Sequence, residues 1–382
     1  MTAHSDDLVF VRAEPARALP PPLTRTGVPG WLRANLFSTP LNTLLTVVTI
    51  AFIVALAYPT IRFLFVDAVW SGTDGAACLP HGGREVGACW PFVYERLGYF
   101  TFGSYPLAQR WRVDLFFVLL AFGAVWLLRL DAPRRDLGAA YFFVVLPIVS
   151  YILLCGAPAI GLPAVDTALW GGMLVTIVVA TVGIVVSLPL GILLALGRRS
   201  RMPAVRFFSV VFIEFVRGVP LITVLFMASV MLPLFVPPEW SPDKLLRALV
   251  GMCLFAAAYQ AEVVRAGLEA IPQGQYEAAR ALGMRYWRMQ RLVVLPQALR
   301  VTIPNILNSF IALFKDTSLV FFVGIFDFLK TVEIARVDPK WAAPTVSATG
   351  YAFAAAVYFV FCYSMARYAD GLERRLGRAD RR

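Results

Sequence analysis

Glu277-Ala278-Ala279-Arg280-Ala281-Leu282-Gly283 begins a basic stretch, rich in small residues, that continues to Leu295-Pro296. This stretch lies between two strongly apolar segments, and the chain is organised around it. The alanines favour a helix. We therefore expect a short helix over residues 276–282, ended by Gly283 in the left-handed conformation. A second helix from Arg285 then returns the chain to the next apolar segment at Pro296.

The composition is that of a membrane protein. Apolar residues make up 59% of the chain and charged residues only 15%, and the mean hydropathy is +0.70. A helix needs roughly 20 apolar residues to cross the hydrocarbon core, where unpaired backbone groups are too costly. We predict an all-α membrane protein with eight transmembrane helices, at about 42–66, 113–130, 139–155, 171–196, 219–236, 245–265, 302–328 and 346–368.

The basic residues predict the orientation. With the N-terminus in the cytoplasm, the inside segments carry 23 Arg and Lys and the outside loops carry 9. Basic residues accumulate in cytoplasmic loops, so we expect both termini to be cytoplasmic. The formal charge of +11 is explained by this asymmetry and by anionic lipid, and we expect no nucleic acid partner.

The chain divides near residue 165, where the stretch from Gly156 to Pro163 is rich in Gly and Pro. No internal repeat is visible, which counts against the repeated halves of many secondary transporters. The expected regions are a disordered cytoplasmic tail (1–40), three accessory transmembrane helices (41–165) with an outside loop (67–112), a five-helix core (166–370) with a cytoplasmic loop (268–300), and a basic cytoplasmic tail (371–382).

Two of the five cysteines, Cys78 and Cys89, lie together in the outside loop. An oxidising compartment permits a disulfide between them, but two free thiols are an equally good reading of the sequence. His81 lies between them, and one His with two Cys makes an incomplete metal site. We expect no metal.

Charged residues inside apolar segments mark candidate sites. Glu214 with Arg217, and Glu262 with Arg265, are spaced to pair on one helix face, as structural or gate-side ion pairs. In the seventh span a polar group interrupts the apolar run near its middle: Lys315, Asp316, Thr317 and Ser318. A helix broken there could present this group to a zwitterionic solute, or Lys315 and Asp316 could simply neutralise each other.

Catalytic constellations are absent from the sequence. The two histidines, His4 and His81, lie outside the predicted spans, so these spans contain no histidine-based proton relay. No Gly-x-x-x-x-Gly-Lys-Ser/Thr loop is present, so we expect the chain neither to bind nor to hydrolyse nucleotide. The protein is expected to be no enzyme and to need no cofactor.

The opening stretch also resembles a known motif. Glu277-Ala278-Ala279, three residues, Gly283, nine residues, Val293, one residue and Leu295-Pro296 match the EAA loop of ATP-binding-cassette importer permeases. Further blocks resemble the polar amino acid branch of that family: Glu214 to Leu221, Tyr259 to Gly267 with Gly274 to Ala279, and Phe314 to Leu319. The accessory spans, with Asp67-Ala68-Val69-Trp70 and Gly87-Ala88-Cys89-Trp90-Pro91, resemble the M-type membrane subunit of general L-amino acid transporters.

This resemblance implies a type I importer fold in a bacterial inner membrane. It implies a second, homologous permease subunit, an ATPase dimer that binds and hydrolyses ATP, and a periplasmic amino acid binding protein. By motif match, Glu277, Ala278, Ala279, Gly283, Leu295 and Pro296 would couple the chain to the ATPase. Two alternatives are kept open: the loop is an ordinary connector, and the chain is an ion-coupled secondary transporter or channel without a motor.

Overall fold

The computed structural model describes residues 27–80, 85–129 and 131–379. Most of the expected disordered tail, residues 1–26, and also His81 lie outside the described residues. The tail prediction is wrong for residues 27–35, which form a helix in which Asn35 Nδ2 donates to the Trp31 carbonyl at 2.9 Å. Pro29 lies in the first turn of this helix, where its missing N–H costs nothing.

The described residues are predominantly helical. In chain order the helices are α1 (Gly27–Asn35), α2 (Pro40–Ile61), α3 (Trp90–Phe102), α4 (Arg110–Leu128), α5 (Arg135–Ala140), α6 (Leu146–Cys155), α7 (Gly172–Arg198), α8 (Pro203–Gly218), α9 (Leu221–Phe226), α10 (Leu232–Phe235), α11 (Lys244–Glu269), α12 (Gln273–Ala281), α13 (Tyr286–Met289), α14 (Leu295–Asp316), α15 (Phe328–Ala335) and α16 (Val346–Ala379). A two-residue strand, β1 (Phe326–Asp327), makes parallel bridges to Gly171 and Gly172. The expected basic tail therefore continues the last helix through residue 379.

Seven of the predicted spans are confirmed as helices long and apolar enough to cross a membrane. Short π-helical or 3₁₀ stretches extend several of them beyond the α-helices just given. The seven are Pro40–Val66, Leu107–Leu128, Arg135–Cys155, Gly172–Arg198, Lys244–Glu269, Tyr286–Val323 and Val346–Leu376.

The remaining predicted span, the fifth in chain order at 219–236, corresponds to Leu221–Phe235, which is too short to meet the criteria for a span by itself. Pro203–Gly218 and Leu221–Phe235 together meet the criteria for a span, but their axes differ by 109°. Pro220 lacks an N–H and disfavours helical geometry in the residue before it. Val219 accordingly adopts extended dihedrals, and the helix ends there. Helix α8 is thus an element distinct from the segment that follows it.

The expected boundary near residue 165 is wrong as a division between compact units, because residues 1–68 form one unit and residues 69–382 another. Within the second unit, Tyr105 Oη donates to the Leu154 carbonyl and Arg112 Nη1 donates to the Pro163 carbonyl, both at 2.9 Å. Buried residues of α4, α6, α7 and α11 share one apolar core. The linker before α7 is therefore fastened to the accessory helices.

The expected outside loop, residues 67–112, is largely ordered. It contains α3 and a disulfide between Cys78 and Cys89, whose Cα atoms are 5.8 Å apart. The Cys89 N–H donates to Thr349 Oγ1 at 2.8 Å, and both cysteines are fully buried in a cluster that includes Phe92 and Trp341. This region therefore packs on residues some 250 positions later in the chain.

Helix α7 connects the two sides of the second unit. It begins next to the disulfide region, where Trp170 bridges Gly103, and at its end Arg199 Nη1 donates to Tyr276 Oη of α12 at 3.3 Å. Its 27 residues correspond to roughly 40 Å of helix. We call these two ends the disulfide side and the coupling-loop side.

Candidate functional site

The coupling loop consists of α12, the turn at Gly283 and the helix that follows. Helix α12 ends in a bond from the Leu282 N–H to the Ala278 carbonyl at 3.1 Å. Gly283 then has a φ of +69°, as its position after a short helix predicted. Apart from Gly283 and its two chain neighbours, no atom of residues 27–80, 85–129 or 131–379 lies within 4 Å of the place that a Cβ on Gly283 would occupy. Only backbone conformation, and no neighbouring group, therefore requires glycine here.

One face of α12 holds the helix to the membrane domain. Tyr276 and Ala279 are buried in a cluster with Leu268 and Met289, and Tyr276 Oη donates to the Leu268 carbonyl at 3.3 Å. Ala279, one of the residues expected to couple the chain to an ATPase, therefore lies on the anchoring face and not on the open one, because a helix packed on one side buries one residue in every three or four.

The opposite face of α12 is open. Glu277, Ala278, Ala281 and Gly283 are exposed, and the side chain of Leu282 is 76% exposed. Small side chains beside one exposed leucine form a surface that a partner can approach closely.

The second half of the loop continues into a span without interruption. Residues Tyr286–Met289 pass through a π-helical stretch, Gln290–Val294, into α14. The Leu295 N–H bonds to the Gln290 carbonyl, and Pro296 lies at the start of α14, where it needs no bond of its own. Gln297 Nε2 donates to Gln275 Oε1 at 3.1 Å. A side-chain hydrogen bond therefore joins the start of α12 to the start of α14.

An ion-pair network lies on the same side and joins three helices. Glu214 of α8 pairs with Arg198 of α7 at 2.6 Å, and Arg217 pairs with Glu262 of α11 at 3.4 Å. The expected pairing of Glu214 with Arg217 is therefore wrong, because α8 packs against α7 and α11 and finds opposite charges there. Arg265 Nη2 lies 2.5 Å from Glu262 Oε1, at the spacing expected for that pair.

A cavity of about 310 Å³ lies between α7, α9, α11 and α14; apolar side chains form most of its wall, and we call it the polar cavity after the five polar residues among them. The lining includes Ser187, Tyr259, Gln260, Ser309 and Asp316. Gln260 is 99% buried, and its Oε1 has no hydrogen-bond partner among the described residues. An unpaired buried amide oxygen is costly, so it is suited to a donor that arrives with a ligand.

Of the four residues expected on a transport pathway, Asp316 lines this cavity. Lys315 is exposed and does not line the cavity. Ser318 Oγ donates to the Lys315 backbone carbonyl at 2.9 Å. Thr317 is fully buried and donates to the Phe314 carbonyl at 2.7 Å, so the expectation that its hydroxyl is presented to a solute is wrong. The predicted break is a change from α- to 3₁₀-helix at Thr317, which rotates neighbouring side chains apart.

The cavity and the ion-pair network touch. The Arg217 guanidinium lies over the ring of Tyr259, 5.8 Å from its centroid, and Tyr259 lines the cavity. Arg217 also binds Glu262. A rearrangement of these charges would therefore alter one wall of the cavity.

Sequence comparison decides the family. Residues 187–378 match the family model described as the binding-protein-dependent transport system inner membrane component. This chain belongs to that family. The permease is also 50% identical to the inner membrane amino-acid ABC transporter permease protein YhdY of Escherichia coli K12, over 90% of this chain and 92% of that protein.

Two further relatives place the accessory region. The glutamate/glutamine/aspartate/asparagine transport system permease protein BztC of Rhodobacter capsulatus is 40% identical over 98% of this chain and its own full length. The glutamate/aspartate import permease protein GltK of E. coli O157:H7 is 34% identical over 53% of this chain and 91% of its own. The permease is therefore an ABC importer subunit of the inner membrane and no enzyme, and its relatives differ in how much of its length they match.

Several cavity residues were missed in the sequence, namely Ser187, Tyr259, Gln260 and Ser309. Ser and Gln in apolar helices carry no charge, so a search for ionisable residues overlooks them. The useful signal is Gly191 on α7, where a Cβ would lie 2.6 Å from the Cβ of Gln260. A glycine facing a buried amide indicates that two helices meet closely beside a polar group.

Proposed function

We propose that this permease is the translocation subunit of an ATP-driven, binding-protein-dependent importer that moves L-amino acids across the inner membrane by alternating access. The single observation that carries the proposal is the coupling loop: α12 presents an open small-residue face on one side and is packed against the membrane helices on the other. A partner that moves α12 would move α14 with it through two connections. One is the hydrogen bond between Gln297 and Gln275, and the other is the helix that begins after the Gly283 turn and continues into α14.

In this proposal ATP is bound and hydrolysed by an ATPase dimer, and this chain needs no cofactor. A second, homologous permease subunit completes the pathway, and a periplasmic binding protein delivers the solute. Both termini lie in the cytoplasm, and the coupling-loop side faces the ATPase. Glu277, Ala278, Gly283 and the exposed Leu282 form the docking surface.

The polar cavity is the proposed substrate contact within this subunit. The Gln260 amide oxygen and the Asp316 carboxylate are acceptors suited to the ammonium group of an amino acid. The Ser187 and Ser309 hydroxyls donate within their own helices, to the Ile184 and Asn305 carbonyls, and would have to rotate to donate to the carboxylate of the substrate. The names of the relatives, an amino-acid permease and a glutamate/glutamine/aspartate/asparagine permease, support amino acids as the substrate class.

The proposal is tested by purifying the tagged permease from its own membranes in mild detergent and identifying what accompanies it. A nucleotide-binding subunit and a second permease are expected in stoichiometric amounts. The variant Leu282→Glu, which charges the exposed face without touching the buried one, should lose the ATPase and keep the second permease. A wild-type permease that purifies without any nucleotide-binding protein would favour the secondary transporter or channel.

A further inference from the structure

A second cavity, of about 440 Å³, lies between the accessory helices and the core. It is separate from the polar cavity and has different chemistry: the walls are aliphatic and aromatic side chains of α4, α6, α7 and α11. Its rim includes Tyr151, which is 70% exposed, and Leu246, which is 50% exposed. Exposed apolar residues of spans face lipid, so this groove opens sideways into the hydrocarbon.

The groove begins on the disulfide side. Thr167 and Trp170 precede the start of α7, Asp243 precedes the start of α11, and all three line the groove. From there the groove follows α7 inward from Val178 to Val186, which corresponds to roughly 12 Å of helix. One leaflet of the hydrocarbon core is about 15 Å thick. The groove therefore extends from the interface over most of one leaflet.

Two polar atoms in the groove have no hydrogen-bond partner in the part of the chain that the structure describes. Trp170 is 94% buried, yet its indole Nε1 makes no hydrogen bond, and Ser150 Oγ is likewise buried and unpaired. The indole N–H of a buried tryptophan normally finds an acceptor. Asp243 adds an acceptor at the same end, although one of its carboxylate oxygens is occupied by the Leu245 N–H at 2.9 Å. The interfacial end of the groove thus carries both a hydrogen-bond donor and an anion, and the rest of the groove is apolar.

We propose that this groove binds one phospholipid of the disulfide-side leaflet. An acyl chain fills the apolar interior between the accessory helices and the core. A glycerol ester carbonyl accepts the hydrogen bond of Trp170 Nε1, and an ammonium headgroup lies against the Asp243 carboxylate. The site accordingly prefers phosphatidylethanolamine to phosphatidylglycerol, whose headgroup carries only negative charge.

The experiment is native mass spectrometry of the delipidated complex, titrated with phosphatidylethanolamine or phosphatidylglycerol. Val185→Phe fills the groove and should remove one tightly held phosphatidylethanolamine. Val360→Phe is its control, because Val360 is 61% exposed on α16 and lies outside the groove. Trp170→Phe deletes the donor and should weaken binding about fivefold, the factor expected for one net hydrogen bond of ~1 kcal/mol.

Two further arms decide between occupants. Trp111→Phe is the control for Trp170→Phe, because Trp111 is 51% exposed and does not line the groove; its lipid affinity should equal that of the wild type. Asp243→Asn keeps the oxygen that caps α11 and should abolish the preference between the two lipids. Equal lipid occupancy in Val185→Phe and the wild type would overturn the proposal. So would cross-linking of the variant Tyr151→Cys to another subunit, which would identify the groove as a protein interface.

Discussion

Replacing Gly283 by aspartate tests the coupling loop most sharply. The residue has a φ of +69°, and the space around a Cβ there is empty, so the substitution meets backbone strain and no steric clash. The strain amounts to roughly 1–2 kcal/mol. Folded domains are stable by about 5–15 kcal/mol, so the variant should still fold and insert. Its carboxylate, however, lies on the exposed surface proposed to contact the ATPase.

Two matched variants separate strain from charge. Gly283→Ala introduces the strain alone and should retain most of the uptake. Gly274→Asp introduces the charge near the start of α12, where no positive φ is needed and a Cβ also meets nothing within 4 Å. Negative charge is favourable at a helix N-terminus, so this variant should keep α12 intact. It should also retain more of the ATPase than Gly283→Asp, because Gly274 lies outside the proposed docking surface.

The assay measures three quantities on reconstituted complexes: ATPase subunit retained, ATP hydrolysis stimulated by the loaded binding protein, and uptake. We expect Gly283→Asp to insert normally but to lose uptake, either by releasing the ATPase or by hydrolysing ATP without stimulation. Wild-type uptake with full stimulation in Gly283→Asp would mean that the loop is only a connector, and the reasoning would be refuted.

Three further predictions concern the cavity, the disulfide and a buried acid. Asp316→Asn should lower uptake more than Lys315→Ala at equal expression, because only Asp316 lines the cavity; a larger loss for Lys315→Ala would contradict this. Replacing Cys78 and Cys89 by serine should destabilise the protein by up to ~3 kcal/mol, measured as a lower melting temperature, and an unchanged value would contradict the role of the bridge. Asp327 lies between two spans, and burial raises the pKa of its carboxyl group to about 6. Its contribution to the free energy of unfolding is therefore highest below about pH 4 and falls by up to ~3 kcal/mol as the pH rises toward 6. The Asn variant at that position should be relatively more stable at pH 7 than at pH 4 in thermal melts, and a constant difference between variant and wild type would contradict the assignment.

The coupling loop could be predicted from sequence because its determinants are local. A short run of helix formers followed by Gly283 specifies a helix and its end without reference to the rest of the chain. Apolar length likewise determines spans, since every backbone group must be paired inside the helix. The bend at Pro220 follows from the chemistry of one residue, although its angle of 109° does not.

The disulfide region could not be predicted in this way. The buried residues of helix α3 pack on a surface formed by Thr349, Trp341 and their neighbours, some 250 residues later in the chain. In isolation its polar and Gly-rich surroundings indicate a loop. The structure of this region depends on tertiary packing, which the periodicity of the sequence does not reveal.

The candidate site was predicted only in part for a related reason. Lys315 and Asp316 are neighbours in sequence, but adjacent helical residues point about 100° apart, and only Asp316 faces the cavity. Glu214 and Arg217 have the spacing of a pair, yet each finds a closer partner on another helix. Charge spacing within one helix cannot reveal such partners.

The central claim is that ATP hydrolysis by a partner drives amino acid import through this permease. It is tested most directly by uptake of labelled glutamate and glutamine into proteoliposomes that contain the purified complex, with saturating binding protein. We predict uptake only when ATP and Mg²⁺ are supplied to the side of the ATPase, unchanged by ionophores that abolish proton and sodium gradients. Uptake that proceeds without ATP and disappears with the ionophores would contradict the account.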